Sequence, residues 1–222
     1  MNQRFRRIWP SNTALRVVAA LAATALPAAA GQACPTCLNI MPTADLMGER
    51  TVSLQLEADG RGTPFATGAG LHLLTQAGVT DWCEVGMDVA DLNGPTEVYF
   101  DAKVLLAAET AARPAIAIGA CVIGQPGPPQ YYLSLAKQAG DFRTHAGLTK
   151  DGMLRGMCGL QWAASEQTTL QADWITGPEA YHSLGVVQDL GGGFSGFVYY
   201  ARNNTERTED FMGLNVAWET EF

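Results

Sequence analysis

From Arg50 to Phe222 the chain is a succession of segments near ten residues long in which apolar and polar side chains alternate, each closed by a turn signal. Alternation at period two marks strands with two unlike faces, and the i, i+3, i+4, i+7 spacing of an amphipathic helix fails along the same stretch. Val52, Leu54, Leu56 and Ala58 alternate with Ser53, Gln55, Glu57 and Asp59, and Cys83, Val85, Met87 and Val89 with Glu84, Gly86 and Asp88. Val98, Phe100, Ala102, Val104 and Leu106 alternate with Glu97, Tyr99, Asp101, Lys103 and Leu105. Phe142, Thr144, Ala146 and Leu148 oppose Arg143, His145 and Thr149, and Met212, Leu214, Val216, Trp218 and Phe222 oppose Gly213, Asn215, Ala217, Glu219 and Glu221.

Punctuation comes from Asp59-Gly60, Ala77-Gly78, Asn93-Gly94-Pro95, Arg113-Pro114, Pro126-Gly127-Pro128-Pro129, Ala139-Gly140-Asp141, Asp151-Gly152, Gly177-Pro178, Gly191-Gly192-Gly193 and Asn203-Asn204. These residues supply the turn geometries that strand formers avoid. Twelve strands are expected, over 50–59, 67–77, 82–91, 96–107, 114–124, 130–138, 142–150, 153–164, 168–176, 181–189, 194–203 and 209–222. Links this short between strands this long imply an antiparallel up-and-down meander.

Two closed structures accept such strands. A soluble barrel hides its apolar face inside, and a membrane barrel turns that face to lipid and its charges to the lumen. Three features favour the inverted form. The segments match the roughly 9 to 11 tilted residues that cross a bilayer; Trp162, Trp174 and Trp218 fall on the apolar phase near strand ends; and alternation runs to a final aromatic residue, Phe222. Mean hydropathy is only +0.02, and after the first thirty residues no apolar run approaches the roughly 20 residues of a spanning helix.

The N-terminus reads as an export address. Arg4, Arg6, Arg7 and Arg16, with no acidic residue among them, precede the apolar stretch Val17 to Leu26, then Pro27 and Ala28-Ala29-Ala30-Gly31. That order is a signal peptide cut after Ala30, the apolar stretch being about half the length of a membrane anchor. Cleavage leaves 10 of the 14 basic residues and all 22 acidic ones, a net charge of −12 on the mature chain. So acidic a chain has no basic surface for phosphate, and nucleic-acid binding is not expected. Residues 1–30 are thus assigned to the signal peptide, 31–49 to an N-terminal segment that enters the lumen as a plug or stays in the periplasm, and 50–222 to the barrel.

Cys34-Pro35-Thr36-Cys37 follows the cut, in a compartment where a local disulfide is permitted. No His follows Cys37, no second Cys pair stands at zinc spacing, and no large apolar residue precedes Cys34 by three positions, so haem attachment, a zinc site and lipidation are not expected. Cys83, Cys121 and Cys158 read as small buried or lipid-facing fillers. Asn203-Asn204-Thr205 reads as turn chemistry, not a glycan site. No cofactor motif is present.

The closing pattern Leu214, Val216, Trp218 and Phe222 resembles the C-terminal assembly signal of bacterial outer-membrane barrels, which implies outer-membrane lipid and the barrel assembly machinery as partners. More narrowly, Gly78-Val79-Thr80-Asp81-Trp82-Cys83-Glu84-Val85-Gly86, the Ala102-Lys103 strand, Arg113 to Gly119 and Phe211-Met212-Gly213-Leu214-Asn215 resemble the YjbH-like outer-membrane barrels associated with exopolysaccharide. The likeness spans most of residues 67–222. It implies a link to polysaccharide export and brings no catalytic motif.

On this phasing the interior collects Glu57, Glu84, Asp88, Glu97, Asp101, Lys103, Arg143, His145, Arg155 and Asp173. Interior charges must be paired or wet. A hairpin symmetric about 92–95 places Glu84 opposite Lys103, a favourable cross-strand pair. Twelve strands lie between barrels filled by side chains and open porins of about 16 to 18 strands. The interior is therefore either a mildly cation-preferring passage for small solutes or polysaccharide, or an ion-pair network that only holds shape.

An outer-membrane lipid hydrolase or acyltransferase is a rival class, as is a soluble periplasmic barrel, and His72, His145 and His182 are the available bases. His182 and Ser183 are neighbours on a strand and point to opposite faces, and no pattern names a nucleophile with its orienting partner. The outward loops, beginning at Gly60, Asn93, Gln125, Asp151, Gly177 and Asn204, are too short for a large receptor surface. The expectation is an exported, all-β outer-membrane barrel in the bacterial cell envelope that serves as a small pore, with a non-conducting structural barrel as the alternative.

Overall fold

A computed structural model describes residues 36–61 and 69–222, and the signal-peptide assignment, Cys34 and residues 62–68 lie outside those residues. Twelve antiparallel strands close into one barrel in which each strand pairs with its sequence neighbours and β1 pairs with β12. They are β1 (Thr51–Arg61), β2 (Gly70–Thr80), β3 (Cys83–Ala90), β4 (Glu97–Ala107), β5 (Ala115–Ile123), β6 (Gln130–Ala139), β7 (Phe142–Lys150), β8 (Leu154–Ala163), β9 (Thr168–Ile175), β10 (Tyr181–Gly191), β11 (Phe194–Asn203) and β12 (Phe211–Glu221). Closure is by continuous pairing from Thr51↔Glu221 to Arg61↔Phe211. Strands of this length, rising about 3.4 Å per residue and tilted about 40°, cover roughly 28 Å, the height of a hydrocarbon layer.

Burial is inverted. Leu54, Val85, Phe100, Ile118, Leu148, Leu184 and Val198 point outward and are exposed, and Ser53, His72, Glu84, Asp101, Lys103, Gln171 and Asn215 point inward and are buried. Aromatic residues gather at both ends of the outer face. Trp162 stacks on Phe142 and Trp218 leans on Phe194 at the end that holds the β2–β3 turn and exposed Trp82, and Trp174 and Tyr131 stand at the opposite end. These rings mark the two interfacial levels of a membrane. Among the described residues no helix is long and apolar enough to cross a membrane.

Two glycines read as turn signals sit inside strands. Gly60 pairs with Met212 within β1. Gly78 lies in β2, three residues before the turn, and is glycine because the backbone of the N-terminal segment lies against it: a Cβ at Gly78 would stand 1.9 Å from the Gly48 carbonyl oxygen. Gly213 is required for a similar reason. It lies across from Tyr199 in the ladder, whose ring lies flat over it, so that a Cβ there would be 2.1 Å from Cε1. Cys121 is fully buried and is disulfide-bonded, a bridge that an isolated cysteine in the sequence gives no spacing to predict.

Of the two places open to residues 31–49, the described part occupies the lumen. Leu38, Asn39, Met41, Thr43, Ala44 and Met47 are all buried, and their neighbours belong to strands on opposite sides of the barrel. Replacing Gly213 with Ala forces Tyr199 off the wall; we expect a loss of about 1–3 kcal/mol, read as a lowered urea midpoint of the folded barrel in lipid vesicles.

Candidate functional site

The inward side chains of the wall and residues 36–47 form one polar assembly. On β3 and β4 the register sets Glu84 opposite Lys103. Lys103 Nζ lies 3.0 Å from Glu84 Oε1 with both side chains fully buried. Two charges withdrawn from water are tolerated only when their remaining hydrogen-bonding capacity is met, and the segment meets it. Thr36 Oγ1 donates to Glu84 Oε1 at 2.7 Å, the Met47 amide donates to Oε2 at 2.7 Å, and Lys103 donates to the Asp45 carbonyl at 2.8 Å and to the Thr36 hydroxyl.

A second anchor stands across the barrel on β9 and β10. Asp173 Oδ2 accepts the backbone N–H groups of Ile40 and Met41 at 2.9 and 3.1 Å, and its other oxygen accepts from Ser183. Asn39 donates to Ser183 Oγ at 2.7 Å, in space left by Gly185, where a Cβ would meet Asn39 Oδ1 at 2.1 Å. Ser134 on β6 donates to the Pro42 carbonyl at 2.7 Å. Arg143 on β7 bonds Asp45 through Nε and reaches Glu109 at 2.8 Å through Nη1. Glu109, in the turn after β4, also accepts the Gln138 amide at 2.9 Å. That amide and the Arg143 guanidinium hold its carboxyl below the usual range, so this tether is intact at neutral pH and is lost only as pH falls through the lowered value. Leu38 and Met41 pack against Tyr99, Tyr132, Met157 and Ile175, an apolar patch within an otherwise polar, hydrogen-bonded plug.

Open space remains on both sides of this plug. An outer chamber of about 250 Å³ is lined by Ile40, Asp59, Arg155, Tyr181, Tyr199 and Phe211 among others, and an inner chamber of about 330 Å³ by Asn39, Gln55, Glu57, Gln171, Tyr199 and Asn215 among others. Tyr199 borders both.

Of the residues expected in the lumen, Glu84, Asp88, Asp101, Lys103, His145, Arg155 and Asp173 are buried, and Glu57 and Arg143 are half-buried. Asp101 accepts the Val122 amide at 3.0 Å, His145 meets Gln161 at 3.2 Å, and Arg155 bonds Asp151 at 3.3 Å and the Pro178 carbonyl at 2.6 Å. Glu57 accepts the Tyr199 hydroxyl at 3.0 Å. Glu97 keeps the inward phase but stands exposed at the open start of β4, where it accepts from the Tyr99 hydroxyl. Leu214, Val216 and Trp218 are half-buried on the outer phase of β12, and Phe222 is exposed.

The structure adds groups that sequence reasoning missed. His72 Nε2 lies 3.0 Å from Asp59 in a buried pair, and Thr36, Asn39 and Asp45 are the segment's anchoring side chains. Phe197 and Tyr199 occur on the polar phase of β11, and an aromatic residue on that phase is the signal that could have found them. The histidines hydrogen-bond to a carboxylate, carboxamides and a backbone N–H, and none of those partners is a hydroxyl or thiol. Among the described residues no group of three or more His, Cys, Asp or Glu is placed to hold a metal ion. Chemically, the arrangement can bind and orient polar solutes in two chambers, one on each side of a hydrogen-bonded plug.

No protein-family model matches the chain, and no curated protein does. Solved structures do. The KdgM porin superposes with a TM-score of 0.54 at 10% identity over 77% of this chain and 99% of that one. The NanC porin gives 0.56 at 9% identity over 76% and 99%. The KdgM porin in complex with disordered oligogalacturonate gives 0.53 at 8% identity over 78% and 99%. The chain therefore has the closed twelve-stranded fold of these outer-membrane porins, and with its exposed apolar belt that fold places it in the bacterial outer membrane. Replacing Lys103 with Met leaves the Glu84 carboxylate buried without its counter-charge; a loss of about 3–5 kcal/mol is expected, largely regained in Glu84→Gln/Lys103→Met, measured as the thermal midpoint of the refolded barrel.

Proposed function

We propose that the protein is a small outer-membrane pore whose passage is set by its own N-terminal segment. The observation that supports this most is the seating of residues 36–47 in a charged, hydrogen-bonding bore with chambers above and below it. A barrel with no other task has no need of aqueous chambers at both ends of a polar plug, because apolar side chains fill a narrow interior at less desolvation cost. The inner chamber is lined by Asp45, Glu57 and Glu219 and by no Lys or Arg, which favours cations and neutral solutes over anions. The likeness to the KdgM and NanC porins is consistent with a passage role.

The non-conducting structural barrel is the second reading, favoured by the complete burial of Leu38 and Met41 at the waist. The exopolysaccharide connection belongs to the YjbH-like resemblance and extends this proposal to an export-associated pore. Enzymatic acyl transfer or hydrolysis gains no support from the hydrogen-bond partners of the three histidines.

Planar-bilayer recording of the mature chain beside a variant lacking residues 36–47 separates the readings. We expect brief or small conductance steps in the mature chain, and large, long-lived steps with cation preference in the truncated one. Insertion of both forms without current would leave the structural barrel.

A further inference from the structure

Hydrogen bonds from residues 36–47 reach β2, β3, β4, β6, β7, β9 and β10. The wall formed by β11, β12 and β1 instead faces the two chambers. On that wall and the adjoining strand β10 runs a series of aromatic rings. Tyr181 and Phe211 meet edge to face at 5.1 Å between centroids, Phe211 and Tyr199 at 5.8 Å, and Tyr199 and Phe197 stack at 5.1 Å. Tyr181 and Phe211 open onto the outer chamber, Phe197 onto the inner one, and Tyr199 onto both. The rings therefore form one track along this wall beside the plug, half-buried where it meets each chamber and buried at Tyr199 between them.

We propose that this track binds uncharged oligosaccharide. The inference rests on the passage reading above and names its solute class. Pyranose rings carry apolar C–H faces and a girdle of hydroxyls, and the half-buried Tyr181 and Phe211 in the outer chamber and Phe197 in the inner one offer apolar surface to such faces, with Tyr199 buried between them as their support. The rest of the inner chamber supplies the complementary girdle: Asn39, Gln55, Gln76, Gln161, Gln171 and Asn215 present carboxamides, each able to donate and accept. Gln55 and Glu57 both accept from Asn215 Nδ2, at 3.0 and 3.3 Å, and Glu57 holds the Tyr199 hydroxyl, which fixes the central ring with its edge bonded to the wall. With Asp45, Glu57 and Glu219 in the inner lining and no basic side chain, an anionic glycan meets repulsion and no counter-charge there, and Arg61 and Arg155 of the outer chamber are already paired with Glu209 and Asp151. Carboxamides and aromatic rings around a concave space suit a neutral polyol.

The test is saturation-transfer NMR and equilibrium dialysis of the refolded mature chain in detergent with a panel of neutral hexaoses (malto-, cello- and laminarihexaose) and with tetragalacturonic acid. At least one neutral hexaose is expected to bind and the uronate not to. Phe197→Leu and Phe211→Leu, which keep apolar volume so that the barrel folds, are expected to weaken that binding about tenfold each. The proposal is overturned if no neutral hexaose binds, if the uronate binds more tightly, or if both leucine variants bind as the parent does. Current recorded on the same preparations separates the two proposals: current without glycan binding sinks the track and leaves the passage, and glycan binding without current in the truncated chain sinks the passage and leaves the track.

Discussion

Lipid offers no hydrogen bond to a peptide group. That constraint governs the whole molecule, because a sheet in hydrocarbon can have no edge. It is met here by the pairing of β1 with β12, residue by residue from Thr51↔Glu221 to Arg61↔Phe211. Once the sheet is closed the period-two pleat does the rest. Each strand sends one side-chain set to lipid and the other to the bore, and Leu54 and Lys103 are placed by the same rule.

Inversion creates a second problem inside. A bore lined by carboxylates, a lysine and amides, within a shell of low polarity, must either stay wet or find partners for its charges. Residues 36–47 are those partners. Their backbone amides go to Asp173 and Glu84, their carbonyls to Lys103 and Ser134, and Asp45 to Arg143. The wall is cut to receive them, with Gly78 and Gly185 where a side chain would collide with the segment. The plug bonds to strands from β2 round to β10 and leaves β11, β12 and β1 facing the chambers.

Much of this architecture was legible in the residues. The strands over 142–150 and 194–203 coincide with β7 and β11, because the first is bounded by Gly140-Asp141 and Asp151-Gly152 and the second by Gly193 and Asn203-Asn204, with no competing signal inside. Strand β2 is displaced toward the C-terminus because Gly78, which carries the local signature of a turn, is a glycine for another reason: the close approach of Gly48 from a distant part of the chain. The Glu84–Lys103 pair could be placed from hairpin symmetry alone, since both residues are local to one β-turn-β unit. The Asp59–His72 pair also joins adjacent strands, but the turn between them is too long for symmetry to set its register.

The amino-acid sequence by itself determined the strand count, the antiparallel order and the side of the sheet that faces lipid, because all three follow from periodicity and punctuation within ten or twenty residues. Only the tertiary structure decided that residues 36–47 fill the bore, that Asp173 and Glu84 hold them from opposite walls, and that Tyr181, Phe211, Tyr199 and Phe197 line up past them. Those relations join positions up to 144 residues apart, as Asn39 and Ser183 do. They arise only when barrel closure brings distant inward faces around one axis, and no local pattern carries that geometry.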